Sequence, residues 1–182
     1  MCIRDRLYLW QGGLSFHGGL LGIVTAAIII SKFYKTTFFE ISDLICVSAP
    51  VGIFFGRISN FINGELFGRP SNFLIGMKFP NADNQYRHPS QLYEAFLEGL
   101  LLFIILNFLI FKFKKLKNPG IISGVFLMLY GLFRFSVEFT REPDIQLGFV
   151  YHFFTMGMIL SLPMFLAGIL ILVIKSNKND TR

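Results

Sequence analysis

Two arginines lie inside apolar stretches of membrane length, Arg57 within APVGIFFGRISNFING and Arg134 within GVFLMLYGLFRFSVEF, and further polar residues follow each within two turns. A charged side chain at membrane depth costs about 2.5–3.5 kcal/mol on insertion scales, so it persists where something anionic needs it. Arginine grips phosphate through two parallel N–H···O bonds and keeps its charge when desolvated, which lysine does not reliably do. Such a pair suits capture of a phospholipid headgroup or stabilisation of a departing phosphate. Histidine is the side chain best placed to take a proton near neutral pH, and His17 stands in the glycine-rich segment GGLSFHGGLLG. No GxSxG elbow, HExxH, P-loop or suitably placed cysteine accompanies these residues, so a covalent enzyme intermediate is not supported.

Residues three, four and seven apart share one face of a helix. Tyr130, Arg134, Glu138 and Arg141 therefore form one polar stripe, and Gln91, Glu94 and Glu98 form another. A third stripe holds Arg57, Asn60 and Gly64, with Asn63, Glu65, Gly68 and Arg69 close by. Three such stripes on otherwise apolar helices imply a shared interior cavity. The competing reading is that Arg57 with Glu94 or Glu98, and Arg134 with Glu138, are ion pairs that glue helices together. A lone histidine is likewise more often an interhelical hydrogen-bonded group than a base. Convergence of two arginines, a histidine, a tyrosine and several amides on one side of the membrane favours a site.

The elements that must carry these stripes follow from composition. The chain of 182 residues is 53% hydrophobic and 15% charged, with a mean hydropathy of +0.58, whereas soluble domains are about 25% charged. Five stretches approach or exceed the length needed to cross a ~30 Å hydrocarbon core: 18–34, 44–62, 92–113, 121–139 and 149–174. The expected fold is an all-α polytopic membrane bundle with a small extramembrane loop over residues 63–91, rich in Pro and Asn. HPSQLYEAF, at the end of that loop, reads as a helix start. Residues 12–175 form the membrane domain, 176–182 a cytoplasmic tail, and the opening 1–11 is expected to be unreliable as native sequence.

The net charge of +6 does not point to nucleic acid. Lys32, Lys35, Lys112, Lys114, Lys115, Lys117, Lys175 and Lys178 fall at alternate ends of the spans, and Lys78 alone falls on the other side. That is the positive-inside pattern, with the N-terminus of this chain outside and its C-terminus cytoplasmic. The polar stripes then converge in the outer half of the bilayer. Cys2 and Cys46 build neither a disulfide framework nor a metal site, and MCIRDR lacks the apolar run of a signal peptide.

Four motifs, GGLSFHGGLLG, GRISNFINGELFGRP, HPSQLYEAFLEG and YGLFRFSVEFTREPDIQLG, together resemble the bacterial prolipoprotein diacylglyceryl transferases over about Gly12 to Gly148. The second motif follows the family signature closely, with Phe67 where tryptophan is common. The resemblance implies a multi-pass protein of the bacterial plasma (inner) membrane. It would move the sn-1,2-diacylglyceryl group of phosphatidylglycerol onto the lipobox cysteine thiol of a prolipoprotein, leaving glycerol phosphate, with no cofactor or metal. Carried across by motif, His17 matches the family's essential histidine. Arg57 and Asn60 open the signature, Glu65 and Gly68 close it, and Tyr130, Arg134 and Glu138 match its functional Tyr, Arg and Glu. Asn63 and Arg141 join the substrate-binding set by their place in the same stripes. Family members have seven spans, so two are expected to be missing here. The alternative function is a non-catalytic phospholipid binder or transporter, which inverted repeats would mark; none is evident in the sequence.

Overall fold

The computed structural model describes residues 16–71, 74–80, 82–142, 149–151 and 154–180. The segment 1–11, residues 143–148 of the fourth motif and His152 lie outside the described residues. The described chain comprises α1 (Phe16–Phe33), α2 (Phe38–Ile62), α3 (Ser90–Glu94), α4 (Leu102–Phe113), α5 (Ile121–Val137) and α6 (Met156–Asp180). One strand pair, β1 (Phe149–Tyr151) and β2 (Phe154–Thr155), precedes α6. A π-helical segment, Ala95–Leu101, joins α3 to α4, so Ser90–Phe113 is one continuous apolar helix. That helix, α2 and the Met156–Ser176 part of α6 are each long and apolar enough to cross a membrane, and Gly18–Phe33 and α5 are shorter apolar helices. This is the expected polytopic helical bundle. The side of the bundle carrying Lys32, Lys112 and Lys175 is called here the lysine side, and the opposite side, built on residues 63–89, the loop side.

Local chemistry sets the ends of these helices. Thr37 opens α2 with a capping box, its hydroxyl accepting from the Glu40 N–H while the Glu40 carboxylate accepts from the Thr37 N–H; this satisfies two of the amides a helix start leaves free. Pro50 sits buried within α2, which neighbouring helices make tolerable in a membrane. α4 ends at Lys114 in the left-handed conformation, and α5 begins after Gly120, whose φ of 101° favours glycine.

Gly120 has no side chain to cap α5, and Asp43 from α2 does so instead. Its carboxylate accepts from the Gly120 and Ser123 N–H groups, both at 2.8 Å, and from the Ser123 hydroxyl. Asp43 is only 1% exposed, so Asp43→Ala would leave buried amides without an acceptor. The expected loss is about 2 kcal/mol, read as a fall of about 4–8 °C in the thermal midpoint in detergent.

Leu102, Leu106 and Ile122 form the fully buried core between α4 and α5, with Cys46 and Val47 of α2 packed against it. α5 and α6 pack through glycines: a Cβ on Gly131 would lie 2.8 Å from the Ser161 carbonyl oxygen, and one on Gly124 2.9 Å from Leu172. Small residues allow membrane helices this approach. α1 buries Ala27 and Ser31 but leaves Leu21, Ile29 and Phe33 exposed.

Several expected boundaries differ: α2 begins at Phe38, six residues before the span expected from Leu44, because the Thr37 capping box starts the helix there. The span read from Phe149 becomes helical only at Met156, because Phe149–Tyr151 and Phe154–Thr155 pair as antiparallel strands. Aromatic and β-branched residues suit a strand pair, and the Thr155 hydroxyl accepts from the Met158 N–H at the start of α6. α5 ends at Val137 rather than Phe139, where the Val137 carbonyl accepts from Thr140 and Arg141 in a closing turn.

Candidate active site

The loop side is a frame of backbone pairings. Gly68 pairs with Arg141, and Arg87 with both Pro70 and Met77. The Gly68 N–H donates to the His88 carbonyl at 2.8 Å and the Arg69 N–H to Thr140 at 2.9 Å. These bonds tie the chain following α2 to the residues before α3 and to the end of α5. Arg87 locks the frame: its guanidinium meets both Asp83 oxygens at 2.8 and 3.1 Å, bonds Glu142 and the Gly68 carbonyl, and lies over the Phe67 ring.

The Arg87 guanidinium holds the Asp83 carboxyl below its ordinary value of 3.8. A carboxyl whose folded value is depressed contributes stability above its unfolded value and loses it as pH falls through the folded one. The clasp is therefore complete at neutral pH and opens on acidification below about pH 4. Lower amide-exchange protection at Met77 and Arg87 in acid, relative to the intrinsic rate at each pH, is the expected result, and Asp83→Asn should reproduce it at neutral pH.

Above this frame the three polar stripes meet. Gly99 makes the meeting of α2 with the π-helical segment possible, since a Cβ there would lie 2.7 Å from the Phe54 side chain and 2.9 Å from its Cα. Phe54 is one turn before Arg57 on α2. Arg57 Nε consequently reaches Glu94 Oε2 at 2.8 Å, and Arg134 Nη1 of α5 reaches Glu94 Oε1 at 2.6 Å. One carboxylate thus stands between guanidiniums from two helices. Arg141 Nη1 lies 3.6 Å from the same carboxylate. Glu98, one turn further on, faces Arg134 at 3.7 Å and Arg57 at 3.9 Å, and neither of its oxygens has a hydrogen-bond donor among the described residues.

Glu138 is held from two sides. Arg134 Nη2 is 3.2 Å away, and the Thr155 hydroxyl donates to it at 2.8 Å. The start of α6 packs directly on this carboxylate, because a Cβ on Gly157 would lie 2.5–2.6 Å from its atoms; a helix N-terminus favours negative charge. Tyr130, one turn before Arg134, stacks on Phe126 and packs beside the core of Leu102, Leu106 and Ile122.

The structure therefore brings together Arg57, Arg134, Glu138, Arg141 and Tyr130. Gly68 is buried in the frame against Thr140 and His88. Asn60 accepts from the Glu65 N–H through its carbonyl, and Asn63 ends α2. The Glu65 side chain is exposed and forms no ion pair with the arginines. Its carbonyl instead accepts from the Gln91 side-chain amide. His17 falls in the first turn of α1, and its side chain lies outside the described residues. The expected site set omitted Glu94 and Glu98, although the rule that flags Arg57 applies equally to carboxylates inside an apolar span. It also omitted Thr155, whose neighbours are apolar.

Fold and site together define a polytopic helical membrane protein with an interior arginine–carboxylate cluster adjoining the loop side of its bundle. The family model described as "Prolipoprotein diacylglyceryl transferase" matches residues 3–174, and the chain belongs to that family. Among its relatives, the phosphatidylglycerol–prolipoprotein diacylglyceryl transferase of Rickettsia akari (strain Hartford) is 54% identical over 164 residues, covering 90% of this chain and 63% of that protein. The protein of the same description from Rickettsia bellii (strain OSU 85-389) is 52% identical over 169 residues, covering 93% and 64%. The chain thus spans a little under two thirds of the length of these relatives.

Proposed function

We propose that this chain carries the headgroup-binding and phosphate-stabilising machinery of a phosphatidylglycerol:prolipoprotein diacylglyceryl transferase. The observation that carries this reading is the pair Arg57 and Arg134, from separate helices, converging on one interior carboxylate at 2.8 and 2.6 Å. A seat between two guanidiniums suits a phosphate equally well.

In this reading the lipobox cysteine sulfur attacks the glyceryl carbon of phosphatidylglycerol. A C–S bond forms, the C–O bond to phosphate breaks, and the bonding pair leaves with glycerol phosphate. Arg57 and Arg134 stabilise the charge gathering on the phosphate in a water-poor setting, which is the main contribution to the rate. Glu138, pinned by Thr155, orients Arg134. Arg141 adds positive field, Tyr130 fixes the lower wall, and Asn60, Asn63, Glu65 and Gly68 shape the mouth. His17 helps remove the proton of the acceptor thiol, whose free pKa is about 8.5.

The protein resides in the bacterial plasma membrane. The lysine side faces the cytoplasm and the loop side faces outward, so that the N-terminus of this chain is outside and its C-terminus inside. Residues 12–175 form the membrane domain, with 63–91 as its outer loop.

The test is incubation of membranes containing the protein with headgroup- and glyceryl-labelled phosphatidylglycerol and a lipobox peptide. Glyceryl label on the peptide cysteine, with release of labelled glycerol phosphate, is expected. Movement of intact lipid without peptide labelling would overturn the transferase reading in favour of transport. In the same assay His17→Gln should lower turnover about 10²-fold; wild-type turnover would remove the base assignment.

A further inference from the structure

The arginines of the cluster are already matched by carboxylates before any lipid arrives. Arg57, Arg134 and Arg141 face Glu94, Glu98 and Glu138, so with all six ionised the cluster is neutral. Entry of a phosphodiester headgroup adds one negative charge to an interior where an uncompensated charge is costly. Neutrality is recovered if one carboxylate takes up a proton, and the structure distinguishes the three candidates. Glu94 accepts a 2.6 Å hydrogen bond from Arg134 and lies 2.8 Å from Arg57. Glu138 accepts from the Thr155 hydroxyl at 2.8 Å and lies 3.2 Å from Arg134.

Glu98 is different: it is 0% exposed and, among the described residues, has no hydrogen-bond donor on either oxygen and no guanidinium nitrogen nearer than 3.7 Å. It therefore gives up the least on losing its charge. We propose that Glu98 is the charge-compensating residue of this site, and that capture of an anionic phospholipid headgroup is coupled to uptake of one proton by its carboxylate. This rests on the headgroup-binding reading above. The groups facing Glu98 are Arg57 from α2, Glu94 from α3, Tyr130 and Arg134 from α5, and Arg141 from the segment after the turn that closes α5. Once neutral, Glu98 no longer offsets the positive field of the two arginines, and that field is then available to the phosphate. The proton remains on the carboxyl while lipid is bound and is released when the anionic product leaves.

Titration calorimetry of the intact protein with short-chain phosphatidylglycerol, in buffers of differing ionisation enthalpy, reads the coupling directly. On the alkaline limb, where the Glu98 carboxyl is ionised before lipid binds, the expected result is uptake of close to one proton per lipid. The dissociation constant should also rise about tenfold per pH unit on the alkaline limb of a scan between about pH 5 and 9. Glu98→Gln should bind with no proton uptake and a flat pH profile, holding its affinity at alkaline pH where the native protein loses it. Proton uptake near zero in the native protein on the alkaline limb overturns the proposal without any variant. A slope that persists in Glu98→Gln also overturns it, by assigning the proton to another group such as His17. The two readings fail separately. Lipid transfer with no coupled proton sinks this inference alone, whereas proton-coupled binding without transfer to a lipobox peptide sinks the transferase reading alone.

Discussion

In the proposed transfer reaction, Arg134→Lys is expected to lower the rate by about 10²–10³-fold, the range seen when one preorganised donor to a developing oxyanion is lost. Lysine keeps the positive charge near Glu94 and Glu138, but it has no planar fork to hold one carboxylate with Nη1 and another with Nη2, as Arg134 does at 2.6 and 3.2 Å. The substitution therefore separates two roles for the cluster. If these ion pairs only fasten helices, a cation at the same position preserves most of the fastening and the rate changes little. If Arg134 holds phosphate in two-point geometry, the rate collapses while the helical circular dichroism and thermal midpoint stay close to those of the parent protein. Full activity in the lysine variant would remove Arg134 from the chemistry.

Gly68→Ala should be nearly as damaging, for a reason unrelated to charge. A methyl group at Gly68 would collide with the Thr140 carbonyl and lie 2.8 Å from both Cβ and the carbonyl oxygen of His88. Two of these obstacles are backbone atoms, which cannot rotate away. Relief requires parting the Gly68–Arg141 pairing, and with it the strap that fixes the end of α5 below Arg134. Overpacking of this kind costs about 1–3 kcal/mol, and a displacement of about 1 Å at the reacting groups costs about 10²-fold in rate. The measurement is transfer activity beside thermal unfolding: a large loss of rate with a modest loss of stability is expected. A variant with parental activity would show that the frame does not govern the site.

Much of this site was legible in the sequence because the membrane removes the ambiguity that surrounds charged residues in water. A polar residue in an apolar span needs a partner, and helical periodicity says which residues share its face. Arg57, Arg134, Glu138 and the Gln91–Glu94–Glu98 stripe could be read in that way, as could the five helices themselves. What stayed hidden depends on contacts between segments distant in sequence. Thr155 and Gly157 embrace Glu138 from a stretch that reads as the beginning of an apolar span, and the strand pair before α6 is too short to leave a periodic signature. Asp43 caps a helix that starts 78 positions later in the chain, and no local pattern links it to Gly120. Arg87 reads as an ordinary loop cation until Asp83, Glu142 and Phe67 are seen around it. Glu65 shows the converse limit of local reading: nearness in sequence to Arg57 and Asn60 leaves its side chain exposed on the loop side rather than in the ion-pair cluster.

The widened turn at Ala95–Leu101 has a consequence for how the family can vary. Leu102 and Leu106 are locked into the core on the lysine side, whereas Gln91 holds the Glu65 carbonyl and Glu94 the arginine cluster on the loop side, all on one continuous rod. Deleting a single residue from that turn would leave an uninterrupted, well-bonded α-helix and yet swing one half against the other by about 100°. Glu94 would then face away from both guanidiniums while hydrophobic anchoring remained intact. The rod behaves as a phase-setting spacer, so homologous sequences should tolerate exchanges of side chain within it far better than any change in its length.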